Sequence, residues 1–161
     1  MARRLVEAGT RFVTVHYDCC DGYSWDSHVH SNDVRRSLLP TLDSALSGLL
    51  LDLEKRGLLA ETLVVALGEM GRTAKPTNDW GRNHWSTLFP AVIAGAGVQG
   101  GTTWGASDKN GEYPIEHPTS PEDLAATIYK TLGIDPDAVL TMPDGRPVPI
   151  STGRPIDGIF G

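Results

Sequence analysis

A leucine stripe that runs into an apolar strand constrains this chain more than any other feature. Leu38, Leu39, Leu42, Ala45, Leu46, Leu49, Leu50 and Leu53 recur at helical i, i+3, i+4, i+7 spacing. They make one face of a helix capped by Ser31 or Asn32. Pro40 sits near its start, where proline costs least, and Gly57 ends it. A few residues later, Thr62–Leu67 is an apolar run long enough for one buried strand. Upstream, Arg11–Tyr17 (RFVTVHY) alternates and is rich in β-branched and aromatic residues, which predicts another strand. Strand, helix and strand in that order predict a right-handed βαβ unit with parallel strands, hence an α/β fold with flanking helices.

The rest of the chain reads onto that frame. Leu88–Ala94 reads as a third strand, with Pro90 at its edge or first position. The following GAGVQG resembles a nucleotide fingerprint, but no periodic helix follows it, so a dinucleotide site is set aside. Ser120-Pro121-Glu122-Asp123 starts a helix with a cap, a proline and first-turn acid, and Leu124, Ile128, Tyr129 and Leu132 form its stripe before Gly133. After Asp135 the chain is rich in proline and glycine and should wrap the surface or add a short hairpin. The opening MARRLVEAG has no apolar run of the signal-peptide kind and reads as the tail of a helix stopped by Gly9, as though the chain begins inside something larger.

With 161 residues, the expectation is a single domain over 1–161. A net charge of -6 and a pI near 5.2 argue against nucleic acid or an anionic membrane as partner. No apolar run is long enough to span a bilayer. Cys19 and Cys20 are adjacent and fit neither a disulfide framework nor a zinc spacing, so they read as two free thiols in a loop.

Chemistry concentrates in two polar loops, each following an expected strand. The first carries Asp26, His28 and His30; the second carries Glu69, Arg72, Arg82 and His84. Parallel strands bring the loops at their carboxyl ends to one edge. Carboxylate and imidazole together suit a divalent metal, zinc foremost and manganese, calcium or magnesium as alternatives, although calcium prefers more oxygens. Guanidinium forks match sulfate or phosphate, so Arg72 and Arg82 are the candidates for holding an oxyanion, with Arg72 equally able to pair with Glu69. Trp25, Trp80 and Trp85 stand beside these residues and could wall a sugar or pack the loops down. No nucleophile elbow is present, so a hydrolase here would use a metal-activated water or a group on chain outside this sequence.

In order, WDSH, RGLLAETLVV, GEMGRT, GRNHW, AGAGVQGG, GASDKNGE, SPEDLAATIYKTLGIDP and DGRPVPI resemble the DUF1501 family, in its C-terminal portion, over almost the whole chain. The resemblance implies part of an alkaline-phosphatase-like or sulfatase-like α/β/α sandwich with a mostly parallel sheet. It further implies metal-dependent hydrolysis of a small-molecule or glycan sulfate or phosphate ester, in an exported or periplasmic protein. Its metal ligands would be Asp26, His28, Glu69 and His84, with Glu69 and Met70 standing where an Asp-His pair is usual. The alternatives are a non-catalytic relative that binds a sulfated or phosphorylated glycan or acts as scaffold, and phosphoryl transfer of the mutase kind.

Overall fold

The computed structural model describes residues 1–20 and 23–161, and of Cys19, Cys20 and Tyr23 the backbone only. The thiol state expected for Cys19 and Cys20 therefore falls outside the described side chains. Helix α1 (Ala2–Glu7) ends before Gly9, which takes the left-handed φ of 93° expected at such a stop. Strands β1 (Cys19–Cys20) and β2 (Tyr23–Ser24) pair antiparallel. A wide π turn over Val34–Leu38 then leads into α2 (Leu39–Lys55). That turn sits where Pro40 lacks an amide and crowds the carbonyl four residues back, and the wider winding accommodates both. The leucine stripe is buried at its two ends, with Leu38 0% and Leu53 1% exposed, while Leu39 and Leu51 face water.

A 3₁₀ turn (Leu59–Glu61) precedes β3 (Val64–Leu67), and then come β4 (Gly71–Arg72), β5 (His84–Trp85) and β6 (Ala91–Ala94). Beyond them lie β7 (Ala106–Ser107), β8 (Pro114–Glu116), α3 (Pro121–Thr131), the hairpin of β9 (Val139–Thr141) and β10 (Pro147–Pro149), and a 3₁₀ turn over Asp157–Ile159. The start of α3 follows its sequence signal. Ser120 Oγ accepts from the Asp123 amide at 3.1 Å and Asp123 Oδ2 accepts from the Ser120 amide at 2.9 Å, a reciprocal capping box.

The expected parallel sheet, and with it an alkaline-phosphatase-like sandwich, does not form. Every pairing among the described residues is antiparallel and two-stranded: β1 with β2, β3 with β6, β4 with β5, β7 with β8 and β9 with β10. Two things overturn the βαβ reading. Arg11–Tyr17 takes no strand, and among the described residues no backbone hydrogen bond joins its amides to the rest of the chain. Strand β3 pairs instead with β6, Val64 opposite Ala94 and Leu67 opposite Ala91, after the β4–β5 excursion has turned the chain back on itself. Helix α2 packs on the π turn, the 3₁₀ turn and α1. Alternation and residue type report that a segment suits a pleated surface, not which neighbour it meets or in which direction.

The second buried cluster joins α3 to the C-terminal strap. Leu124, Ala126 and Thr127 of α3 are buried together with Ile156 and Ile159. Thr127 is 1% exposed, and its hydroxyl donates to the Asp123 carbonyl at 2.7 Å and accepts from the Ile156 amide at 2.9 Å, so the buried oxygen is satisfied.

Candidate metal centre

Two residues of the β4–β5 ribbon set the base of the site. Arg72 lies opposite His84, and directly opposed residues of an antiparallel pair project from the same face. The ribbon's excursion is closed by the Thr73 amide on the Asn83 carbonyl at 2.9 Å. The loop that carries Asp26 and His28 is zipped along it. The Arg82 amide donates to the Ser27 carbonyl, the His30 amide to Asp79, and the Ser31 amide to Trp80, each at 2.9 Å.

At the crossing the two backbones nearly touch. A Cβ on Gly81 would lie 1.5 Å from the His28 carbonyl oxygen, so only glycine admits the approach. His30 and Trp80 sit beside it with φ of 53° and 56°, a left-handed conformation that costs roughly 1–3 kcal/mol for a residue with a side chain. The zipper holds both in place.

The result is a triangle of potential ligands. His28 Nε2, His84 Nε2 and Asp26 Oδ1 are each 3.1 Å from the other two. A triangle of that size has its centre about 1.8 Å from each corner, so an ion at the ~2.05 Å zinc–nitrogen distance would rest about 1 Å off its plane, on one face of a tetrahedron. The donor set of two imidazoles and one carboxylate suits zinc and its neighbours better than calcium. The three side chains are 47–58% exposed, so the fourth direction opens to solvent. A cleft of about 260 Å³ adjoins, lined by Ser24, Asp26, Ser27, His28, His30 and Asp33 among others.

Arg72 completes the group from beneath. One of its terminal nitrogens lies 2.7 Å from the same Asp26 oxygen. The hydrogen bond from His84 first, and that from Arg72 second, hold the Asp26 carboxyl down at about 2. Asp26 is thus ionised, as a ligand must be. Carboxylate oxygens have enough lone pairs for Asp26 to accept from Arg72 and still face an ion. The other Arg72 terminal nitrogen, Nη1, is closed off from solvent and has no acceptor among the described residues. A buried donor without a partner costs about 1–3 kcal/mol, which an incoming acceptor would relieve.

The remaining candidates stand apart from the triangle. Glu69 is exposed just past β3 and is not among the three ligand atoms that cluster. Arg82 Nη1 donates to the Thr73 carbonyl at 2.9 Å and to the Ala74 carbonyl, so this guanidinium braces the excursion from within. His30 lines the cleft without belonging to the triangle. Sequence reasoning gave Arg72 a choice between an oxyanion and Glu69, and it missed the pairing with Asp26. No local signal reports it, because contacts across this site span 56 and 58 residues of chain.

A model of the family described as "Protein of unknown function (DUF1501)" matches residues 1–160. No curated protein and no solved structure matches the chain.

Proposed function

The chain belongs to the DUF1501 family, and from that premise we propose that it contributes a divalent-metal site to the hydrolysis of a sulfate or phosphate ester. One observation carries this reading: His28 Nε2, His84 Nε2 and Asp26 Oδ1 form a triangle with 3.1 Å sides and one open face. Three protein ligands with a free position are the pattern of a catalytic site, whereas structural sites are closed.

When bound there, zinc or a similar ion would supply Lewis acidity toward an ester oxygen and lower the pKa of a hydroxyl or water. The chain's own residues do the rest. Asp26 supplies the negative charge, and Arg72 fixes the direction of its carboxylate, as partners of ligating groups do. The Arg72 guanidinium also places a permanent positive charge beside the position an oxyanion would take. Arg82 keeps the excursion that carries His84 in shape. Glu69, exposed past the end of β3, stands outside the triangle and has no part in this reading.

A second reading, binding of a sulfated or phosphorylated ligand without turnover, is favoured by the exposure of the ligands. Electrostatic stabilisation of a transition state is strongest where water is excluded, and this triangle is open.

Elemental analysis after dialysis against trace zinc, with titration calorimetry on the metal-free protein, tests the site. One ion per chain is expected, lost in His84→Ala at unchanged helical content. A chain that binds no zinc, or binds it equally well as His84→Ala, would sink the proposal. Hydrolysis of aryl sulfate and aryl phosphate esters by the loaded protein then separates turnover from binding.

A further inference from the structure

The zipper and the Gly81 crossing hold the Asp26–His28 loop to the ribbon, and a separate set of contacts holds it to helix α2. Strands β1 and β2, which lead into the loop, pack on the π turn. Trp25, directly before Asp26, meets the Tyr17 ring edge to face, with centroids 5.9 Å apart and ring planes at 76°. The Tyr17 hydroxyl bonds Thr41 near the start of α2. Thr41 Oγ1 in turn lies 2.9 Å from the Leu38 carbonyl and 3.1 Å from the Ser37 carbonyl. Carbonyls only accept, so the Thr41 proton goes to them and its oxygen is left to accept from Tyr17. The relay thus ends on the π turn, at the wholly buried Leu38.

Granted the divalent-metal site proposed above, on which this rests, we propose that Tyr17 is a positioning residue of that centre, acting through Trp25 on the backbone that aims Asp26 and His28. The path from ring to ligand is short. The Ser27 amide bonds the Trp25 carbonyl at 2.9 Å and the His28 amide bonds the Asp26 carbonyl at 3.2 Å, two tight turns in succession that begin at Trp25. The Asp26 amide meets Ser24 Oγ at 3.2 Å. A loop wound this closely moves as a piece, so a swing of Trp25 carries Asp26 and His28 away from His84.

Exposure shows why such a support matters. The three ligand side chains are about half exposed, so packing does little to fix their rotamers, whereas Tyr17 and Trp25 are both half-buried. A ligand set is held to productive geometry by the residues behind it, whose own rotamers are fixed by packing and hydrogen bonds. Arg72 does this for the Asp26 carboxylate itself. Tyr17 does it for the loop backbone, with the hydroxyl relay to α2 setting the angle at which its ring meets the indole. Loss of an outer partner of a metal ligand typically costs 10- to 100-fold in affinity. Tyr17 acts one step further out, so its effect belongs below that range.

Zinc titration calorimetry on the metal-free chain tests this. Trp25→Leu should bind about 10-fold more weakly, and Tyr17→Phe, which keeps the ring and loses the hydroxyl, about 3-fold, both at unchanged helical content. In the Trp25→Leu background, Tyr17→Phe should change nothing further, because its effect passes through the indole. Thr41→Val removes the same hydrogen bond from the other side and should match Tyr17→Phe. A Tyr17→Phe or Thr41→Val protein that binds zinc as tightly as the parent overturns the proposal. So does a Tyr17→Phe loss that is the same with and without Trp25. A parent chain that binds no zinc removes the metal site itself, and the role of Tyr17 falls with it. Should Trp25→Leu fail to fold, Tyr17→Phe and Thr41→Val decide.

Discussion

Gly81 shows how one residue governs the site without offering a ligand. Its missing side chain lets the His28 carbonyl pass so closely that a Cβ would sit 1.5 Å away. Gly81→Ala should therefore push the Asp26–His28 loop off the ribbon and lower zinc affinity by about 10-fold or more, a loss of at least ~1.4 kcal/mol. Calorimetry on the variant, with circular dichroism to confirm the helices, checks it. An unchanged affinity would mean that the crossing does not position the ligands. Asp26 shows the complementary case of a residue whose chemistry was legible and whose partners were not. Aspartate and histidine two apart in a polar loop are visible in the sequence, and so is His84. That one carboxylate oxygen receives His84, His28 and Arg72 together depends on a hairpin register and a loop crossing that no local spacing encodes.

Helix α3 was readable at the scale of the element because its signals are local. Ser120, Pro121 and Asp123 are consecutive or near neighbours, and the reciprocal capping bonds follow from their spacing. Strand direction was unreadable for the opposite reason: Val64 meets Ala94 only after an intervening hairpin, and β propensity carries no arrow. The cap also makes a pH prediction. The Arg154 amide first, at 2.7 Å, and the Ser120 amide second lower the pKa of Asp123 from 3.8. A carboxylate held down in this way contributes stability above its unfolded value of 3.8, and that contribution is lost as pH falls through its lower folded value. Asp123→Asn should thus cost on the order of 1 kcal/mol near neutrality. The gap between variant and parent should close as pH drops below about 4. Chemical denaturation at a series of pH values measures it, and a gap constant down to pH 2 would contradict the assignment.

The whole molecule buries few side chains, and they lie along α2 and between α3 and the C-terminal strap. Leu38 and Leu53 mark burial at the opposite ends of α2; α3 and the C-terminal strap form the other buried region. The strap depends on a close approach, since a Cβ on Gly153 would lie 2.1 Å from the Glu122 carbonyl carbon. Gly153→Ala should lift the strap and expose Ile156 and Ile159, destabilising the chain by roughly 2–3 kcal/mol. A shift of the urea midpoint of less than about 0.3 M would show that the strap is dispensable. The crossing at Gly81 also divides the ribbon's excursion into a fixed part and a free one. Asp79 and Trp80 accept from the His30 and Ser31 amides and the Ala74 carbonyl accepts from Arg82, so within the excursion only residues 75–78 lie outside the clasp, and a change of length there leaves those bonds in place.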